Sequence, residues 1–91
     1  MKYLLRWTGL ALRDLIEIKA YIQRDNPAAA RKEAQKIKRS VEKLMRFPLA
    51  GRLLKKIPQV RQIVVSHYHI FYRCHGHSVE ILRIYHQSRD I

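Results

Sequence analysis

The sequence predicts an α+β fold in the order β-α-α-β-β-β, a helical hairpin packed on one face of a small, mainly antiparallel sheet. Three observations carry that expectation. Between Ala11 and Leu44 the apolar residues recur at helical spacing, in two blocks divided by Asp25-Asn26-Pro27. After Pro58 they alternate instead, in three short runs. A short aromatic and apolar run, KYLLRW, stands before both. With 91 residues, the chain is expected to form a single domain over residues 1–91.

Lys2–Trp7 reads as the first strand, at an edge or in the centre of the sheet. Thr8 then offers a side-chain oxygen to cap a helix. Ala11, Leu15, Ile18 and Ile22 follow at spacings of four, three and four, which is one face of that helix. Arg13, Glu17 and Arg24 fall away from it. Asn26 can cap the second helix, and Pro27 suits its first position, where a backbone N–H would be unpaired in any case. This helix is expected from about Pro27 to Arg46, with Ala30, Ala34, Ile37, Val41 and Leu44 on its buried face. Two helices joined this tightly form an antiparallel hairpin. Phe47-Pro48 stops the second one, and a loop with Gly51 and Pro58 follows.

The three alternating runs, Val60–Ser66, Tyr68–Cys74 and Val79–Tyr85, read as strands. Ser66-His67 and His75-Gly76-His77 are the turns between them. Short turns make the strands an antiparallel meander. In the last strand, strict alternation puts Val79, Ile81, Arg83 and Tyr85 on one side and Glu80, Leu82, Ile84 and His86 on the other. In the strand before it, His69, Phe71 and Arg73 oppose Tyr68, Ile70, Tyr72 and Cys74. Both sides carry apolar residues, so alternation alone leaves open which side meets the helices.

Charge bounds the partners. Nineteen Lys and Arg stand against seven Asp and Glu, for a formal net charge of +12. A domain so charged repels itself and attracts polyanions: nucleic acid, an anionic membrane surface or an acidic protein. Solubility alone is served by mixed signs without that cost. One cysteine, Cys74, excludes an intramolecular disulfide framework and fits a reducing, cytoplasmic setting. No apolar run is long enough to span a membrane. The first 22 residues, broken by Arg6, Arg13 and Asp14, read as mature protein rather than a signal peptide.

Candidates for chemistry are few. His86 is the side chain best suited to proton transfer near neutral pH, with Tyr85 and Glu80 behind it. Arg61, Arg73, Arg83 and Arg89 lie on or beside the strands. Cys74, His75, His77, His67 and His69 raise the question of zinc, but Cys74 and His75 point to opposite faces and four converging ligands are not expected. No metal or other cofactor is therefore expected. Asp14 and Glu17, one helical turn apart, are expected to make local salt bridges with Arg13, Lys19 or Arg24. The second helix, crowded with Arg31, Lys32, Lys36, Lys38, Arg39, Lys43 and Arg46, has three readings: a solvated face, a contact to phosphates, or a landing site for an acidic protein.

Four segments, WTGLALRDLIEIKAYIQRDNPAAA, FPLAGR, VRQIVVSHYHIFYR and VEILRIYHQSRDI, cover most of the chain. In this order and spacing the chain resembles the RelE/ParE superfamily of type II toxin–antitoxin toxins. The resemblance implies a small basic toxin neutralised by a cognate antitoxin. The DNP hairpin turn, the FPLAGR loop and the YRxxxxxVEILRIYHxxRD ending are more similar to the ParE branch. That branch implies inhibition of DNA gyrase, with a ParD-like, DNA-binding antitoxin as partner. Arg61, Arg73, Arg83, His86 and Arg89 are then the expected target contacts, and Leu53 and Leu54 the expected antitoxin contacts. The alternative is a RelE-like, metal-independent endoribonuclease acting on mRNA in the ribosome, with His86 as its catalytic candidate and Lys55 and Lys56 as a basic pair. A third reading is an inactive relic that only binds antitoxin.

Overall fold

Thr8 joins the first strand to the first helix and pins that joint to the far end of the chain. Its hydroxyl accepts from Ala11 N at 3.2 Å, capping the helix, and donates to Ile81 O at 2.8 Å. The computed structural model describes residues 2–87. Over them run β1 (Leu4–Trp7), α1 (Gly9–Gln23), α2 (Pro27–Lys43), β2 (Arg52–Leu53), β3 (Val60–Val65), β4 (Tyr68–His75) and β5 (Ser78–His86). The five strands form one sheet in the order β1-β5-β4-β3-β2. Only β1–β5 is a parallel pair; β5–β4, β4–β3 and β3–β2 are antiparallel. β1 is thus an edge strand. Asn26 caps α2 as expected, accepting from Ala29 N at 3.1 Å.

Both helices lie on one face of the sheet. Ala11, Leu15, Ala34, Ile37 and Val41 meet Ile70, Tyr72, Val79, Ile81 and Ile84 in a single apolar core. Burial of this kind is worth about 25 cal/mol per Å² of apolar surface, which makes it the main force holding the hairpin to the sheet. Among the described residues no helix is long and apolar enough to cross a membrane.

Three details depart from the sequence expectation. α2 stops at Lys43, because Leu44, Met45 and Arg46 donate three residues back, to Val41, Glu42 and Lys43, in tightened turns. The loop after Phe47-Pro48 contains β2, whose two residues pair with Gln62 and Arg61; two residues are too few to show a period. The third departure matters most. Phe71 pairs with Arg83 but Tyr72 pairs with Ile81, leaving Leu82 as an extra residue in β5. This β-bulge reverses the alternation beyond it. Val79, Ile81 and Ile84 therefore share the helix side, all at 2% exposure or less. Glu80, Arg83 and Tyr85 belong to the opposite, open side. The strict alternation expected for β5 fails at Leu82 for this reason.

Candidate functional site

The open face of the sheet is organised around one acid. Glu80 stands in a strand of apolar residues with a side chain only 7% exposed, between two guanidinium groups. Arg73 Nε donates to Glu80 Oε1 at 2.8 Å, and Arg6 Nη1 lies 3.1 Å from Oε2. The Arg73 hydrogen bond holds the Glu80 carboxyl below the usual carboxylate range; Arg6 and His75 act in the same direction and burial acts against them.

Beside this trio runs a row of rings. Gln62 Nε2 donates to His69 Nδ1 at 2.9 Å. His69 is tilted on Phe71 at a centroid distance of 6.4 Å. Phe71 meets Tyr85 edge to face at 6.0 Å, and the Arg83 guanidinium sits 4.6 Å above the Tyr85 ring.

Arg83 is held at the sheet edge by α1. Its Nε donates to Asp14 Oδ2 at 2.9 Å and its Nη2 to Oδ1 at 3.2 Å. Asp14 Oδ2 also accepts from Ile84 N at 2.9 Å. β1 covers β5 only as far as Ile81, so a helix carboxylate takes over where the neighbouring strand ends. The bond to Asp14 holds the Arg83 proton more firmly than usual. The local salt bridge expected for Asp14 does not form, because the side chain turns inward to this edge.

Arg61 does different work. Its Nη1 donates to Gly51 O at 2.8 Å and Leu49 O at 3.3 Å, tying down the FPLAGR loop from beneath. Tyr72 completes the tie: its hydroxyl accepts from Gly51 N and donates to Pro48 O, both at 2.8 Å. Burial pushes the Tyr72 hydroxyl pKa up. Leu53, beyond this loop, is 52% exposed, Leu54 is half-buried, and Lys55 and Lys56 are exposed.

His86 lies at the far corner, on the helix side. Its ring meets Tyr68 edge-on at 5.5 Å and stacks with His67 at 6.2 Å. It lines the mouth of a groove of about 660 Å³ with Ile18, Tyr21, Ile22 and Ile84, where the C-terminal half of α1 passes the ends of β4 and β5. The expected target contacts are thus divided: Arg73 and Arg83 on the open face, Arg61 under a loop, His86 at the corner. Arg89 lies outside the described residues. Among the described residues no three His, Cys, Asp or Glu side chains are grouped to hold a metal ion.

Glu80 holds Arg6 and Arg73, and Asp14 holds Arg83, pairings that no spacing in the sequence shows. Glu80 left one signal, a lone acid in the apolar run VEILRIY. Asp14 left none, since its partners are 69 and 70 residues away.

Residues 5–91 match the family described as ParE toxin of type II toxin–antitoxin system, parDE. The chain belongs to the ParE toxin family. It is 40% identical to the protein Y4kP of Sinorhizobium fredii over 94% of this chain and 90% of that one. It is 36% identical to Toxin RelE2 of Caulobacter vibrioides, over 91% of this chain and 93% of that one. A solved chain from the chromosomal ParDE TA system of P. aeruginosa superposes with a TM-score of 0.83 at 29% identity, covering 93% of this chain and 96% of that one. The two helices on a mixed five-stranded sheet are therefore those of a type II toxin of the RelE/ParE superfamily.

Proposed function

We propose that this ParE-family toxin acts by binding DNA gyrase and is neutralised by a ParD-like antitoxin. The observation that carries the reading is that, among the described residues, the arginines of the open face are tied to Glu80 and Asp14 while His86 stands apart from them at the helix-side corner. RNA cleavage without a metal needs a base, an acid and a cation converging on one phosphate, each within roughly 3 Å of its proton or charge. Here the Nε atoms of Arg73 and Arg83 are given to Glu80 and Asp14. His86 packs its ring against Tyr68 and His67, at the corner where β4 begins and β5 ends. Such an arrangement suits a preformed binding surface. The antitoxin partner is supported by the ParDE neighbour, and exposed Leu53 is an apolar contact for it.

A supercoiling assay with purified toxin and gyrase tests the reading. The expected result is loss of supercoiling with accumulation of cleaved DNA; unchanged supercoiling at saturating toxin rejects it. The second reading, a ribosome-dependent ribonuclease, draws support from the relative named Toxin RelE2. Toeprinting on translating ribosomes separates the two, since only the nuclease leaves A-site cuts.

A further inference from the structure

The outer face of α2 has no role in the fold and none in the site described above. Ala30, Ile37 and Val41 are at most 1% exposed, which turns the opposite side of the helix outward. That side presents Arg31, Lys32, Lys38, Arg39 and Lys43, with Arg46 just beyond, all exposed, and a single exposed acid, Glu42, among them. Among the described residues none of these six cations makes an ion pair; the one bridge on this helix joins Lys36 to Glu33. Like charges one turn apart, such as Arg39 and Lys43, disfavour the helix that carries them.

We infer that this face docks on the phosphates of duplex DNA. Three observations favour a polyanion of this kind over a protein or a membrane. The face lacks large exposed apolar side chains, whereas a protein partner needs apolar or aromatic anchors. Those anchors are elsewhere: Leu12 and Ile16 on α1, Phe47 and Leu49 in the following loop. An anionic membrane would hold this face by charge alone, at about 1 kcal/mol per cation near the surface, because the apolar side of α2 that would insert is in the core. Lastly, Arg31 to Lys43 covers about 18 Å along the helix axis, a length over which duplex DNA carries about ten charges. The choice of duplex over other polyanions rests on the gyrase reading, because gyrase holds duplex DNA.

The test is fluorescence anisotropy of a labelled duplex of about 20 base pairs with purified toxin, from about 50 to about 200 mM salt. The variant is Lys32→Gln, Arg39→Gln, Lys43→Gln, since glutamine keeps the helix propensity of the residues it replaces. The control removes equal charge elsewhere: Lys2→Gln, Lys55→Gln, Lys56→Gln. The α2 triple is expected to bind at least about tenfold more weakly and to flatten log affinity against log salt by about 2 to 3. The control is expected to lose less than about threefold. Equal losses in the two triples would overturn the inference. So would tighter binding of single-stranded DNA, or polyglutamate of equal charge binding as well as the duplex. The assay contains no gyrase, so the two proposals fail separately. Toxin that holds duplex through α2 but leaves supercoiling intact overturns only the gyrase reading. Toxin that traps gyrase while its α2 triple binds duplex normally overturns only this one.

Discussion

The carboxylate of Asp14 accepts the backbone amide of Ile84 at 2.9 Å, so that a side chain from α1 finishes a sheet edge that β1 leaves uncovered. The same carboxylate fixes Arg83, coupling helix, edge and open face through one residue. Asp14→Ala leaves a buried N–H unpaired and frees a guanidinium that is partly solvated. The expected cost is about 2–3 kcal/mol, below that of a fully buried pair because water reaches Arg83. Asp14→Asn keeps an acceptor for Ile84 N and is expected to cost about half as much. Thermal unfolding checks this; the alanine variant is expected to melt on the order of 10 °C lower.

Gly51 is required by Tyr72. A Cβ at Gly51 would lie 2.6 Å from the Tyr72 Oη, 2.7 Å from its Cε1 and 3.0 Å from Gln62 O. Gly51→Ala is expected to destabilise by about 1–3 kcal/mol through overpacking. Tyr72→Phe removes the hydroxyl that serves Gly51 N and Pro48 O, at about 1–2 kcal/mol. Because the ring carbon also stands in the way, Tyr72→Phe is not expected to rescue Gly51→Ala. Urea unfolding of the singles and the double decides it; full recovery in the double would mean that the hydroxyl alone causes the clash.

The contrast between these two sites shows what was legible in the sequence. Local signals were readable: Thr8 and Asn26 cap the helices as their side chains suggest, and the change of period after Pro58 marks where the meander begins. The FPLAGR segment stood out, although its tie to Tyr72 and Arg61 did not. Long-range pairings were hidden because no spacing encodes them. Asp14 finds Arg83 only once the sheet has formed. The bulge at Leu82 was hidden for another reason: the adjacent apolar pair Ile81-Leu82 in VEILRIY fits a strand buried on both faces as well as a bulge, and only pairing with β4 shows that one residue is extra. That residue moves Arg83 and Tyr85 to the open face and His86 to the helix side, so the candidate site could not be assembled from the pattern alone.

The depressed Glu80 carboxyl makes a pH prediction with a defined sign. Its folded pKa is lowered first by the Arg73 hydrogen bond, then by the charges of Arg73, Arg6 and His75, against desolvation. An unfolded glutamate titrates near ~4.3. A carboxyl whose folded pKa lies below that value stabilises the fold above about pH 4.3, and the contribution is lost as pH falls through the folded pKa. Glu80→Gln is therefore expected to lower stability at neutral pH and to lose less on acidification than wild type. Unfolding free energy measured from neutral pH to about pH 3 reads this out; parallel curves for the two proteins would rule out the linkage.

His86 separates the two functional readings. Its ring packs edge-on against Tyr68 at 5.5 Å, a contact of the kind worth about 0.5–1.5 kcal/mol. If His86 is a proton-transfer group, His86→Ala and His86→Phe must be equally inactive, since neither can titrate. If it holds the corner of the sheet, His86→Phe keeps a ring against Tyr68 and His86→Ala does not. The binding reading therefore expects His86→Ala to unfold more easily and to arrest growth less strongly on induction, with both effects largely restored in His86→Phe. Melting temperature and growth arrest measured on the same two variants distinguish the cases. Wild-type stability with complete loss of toxicity in both would remove the corner role, and loss of A-site cuts in both would place the chemistry at His86.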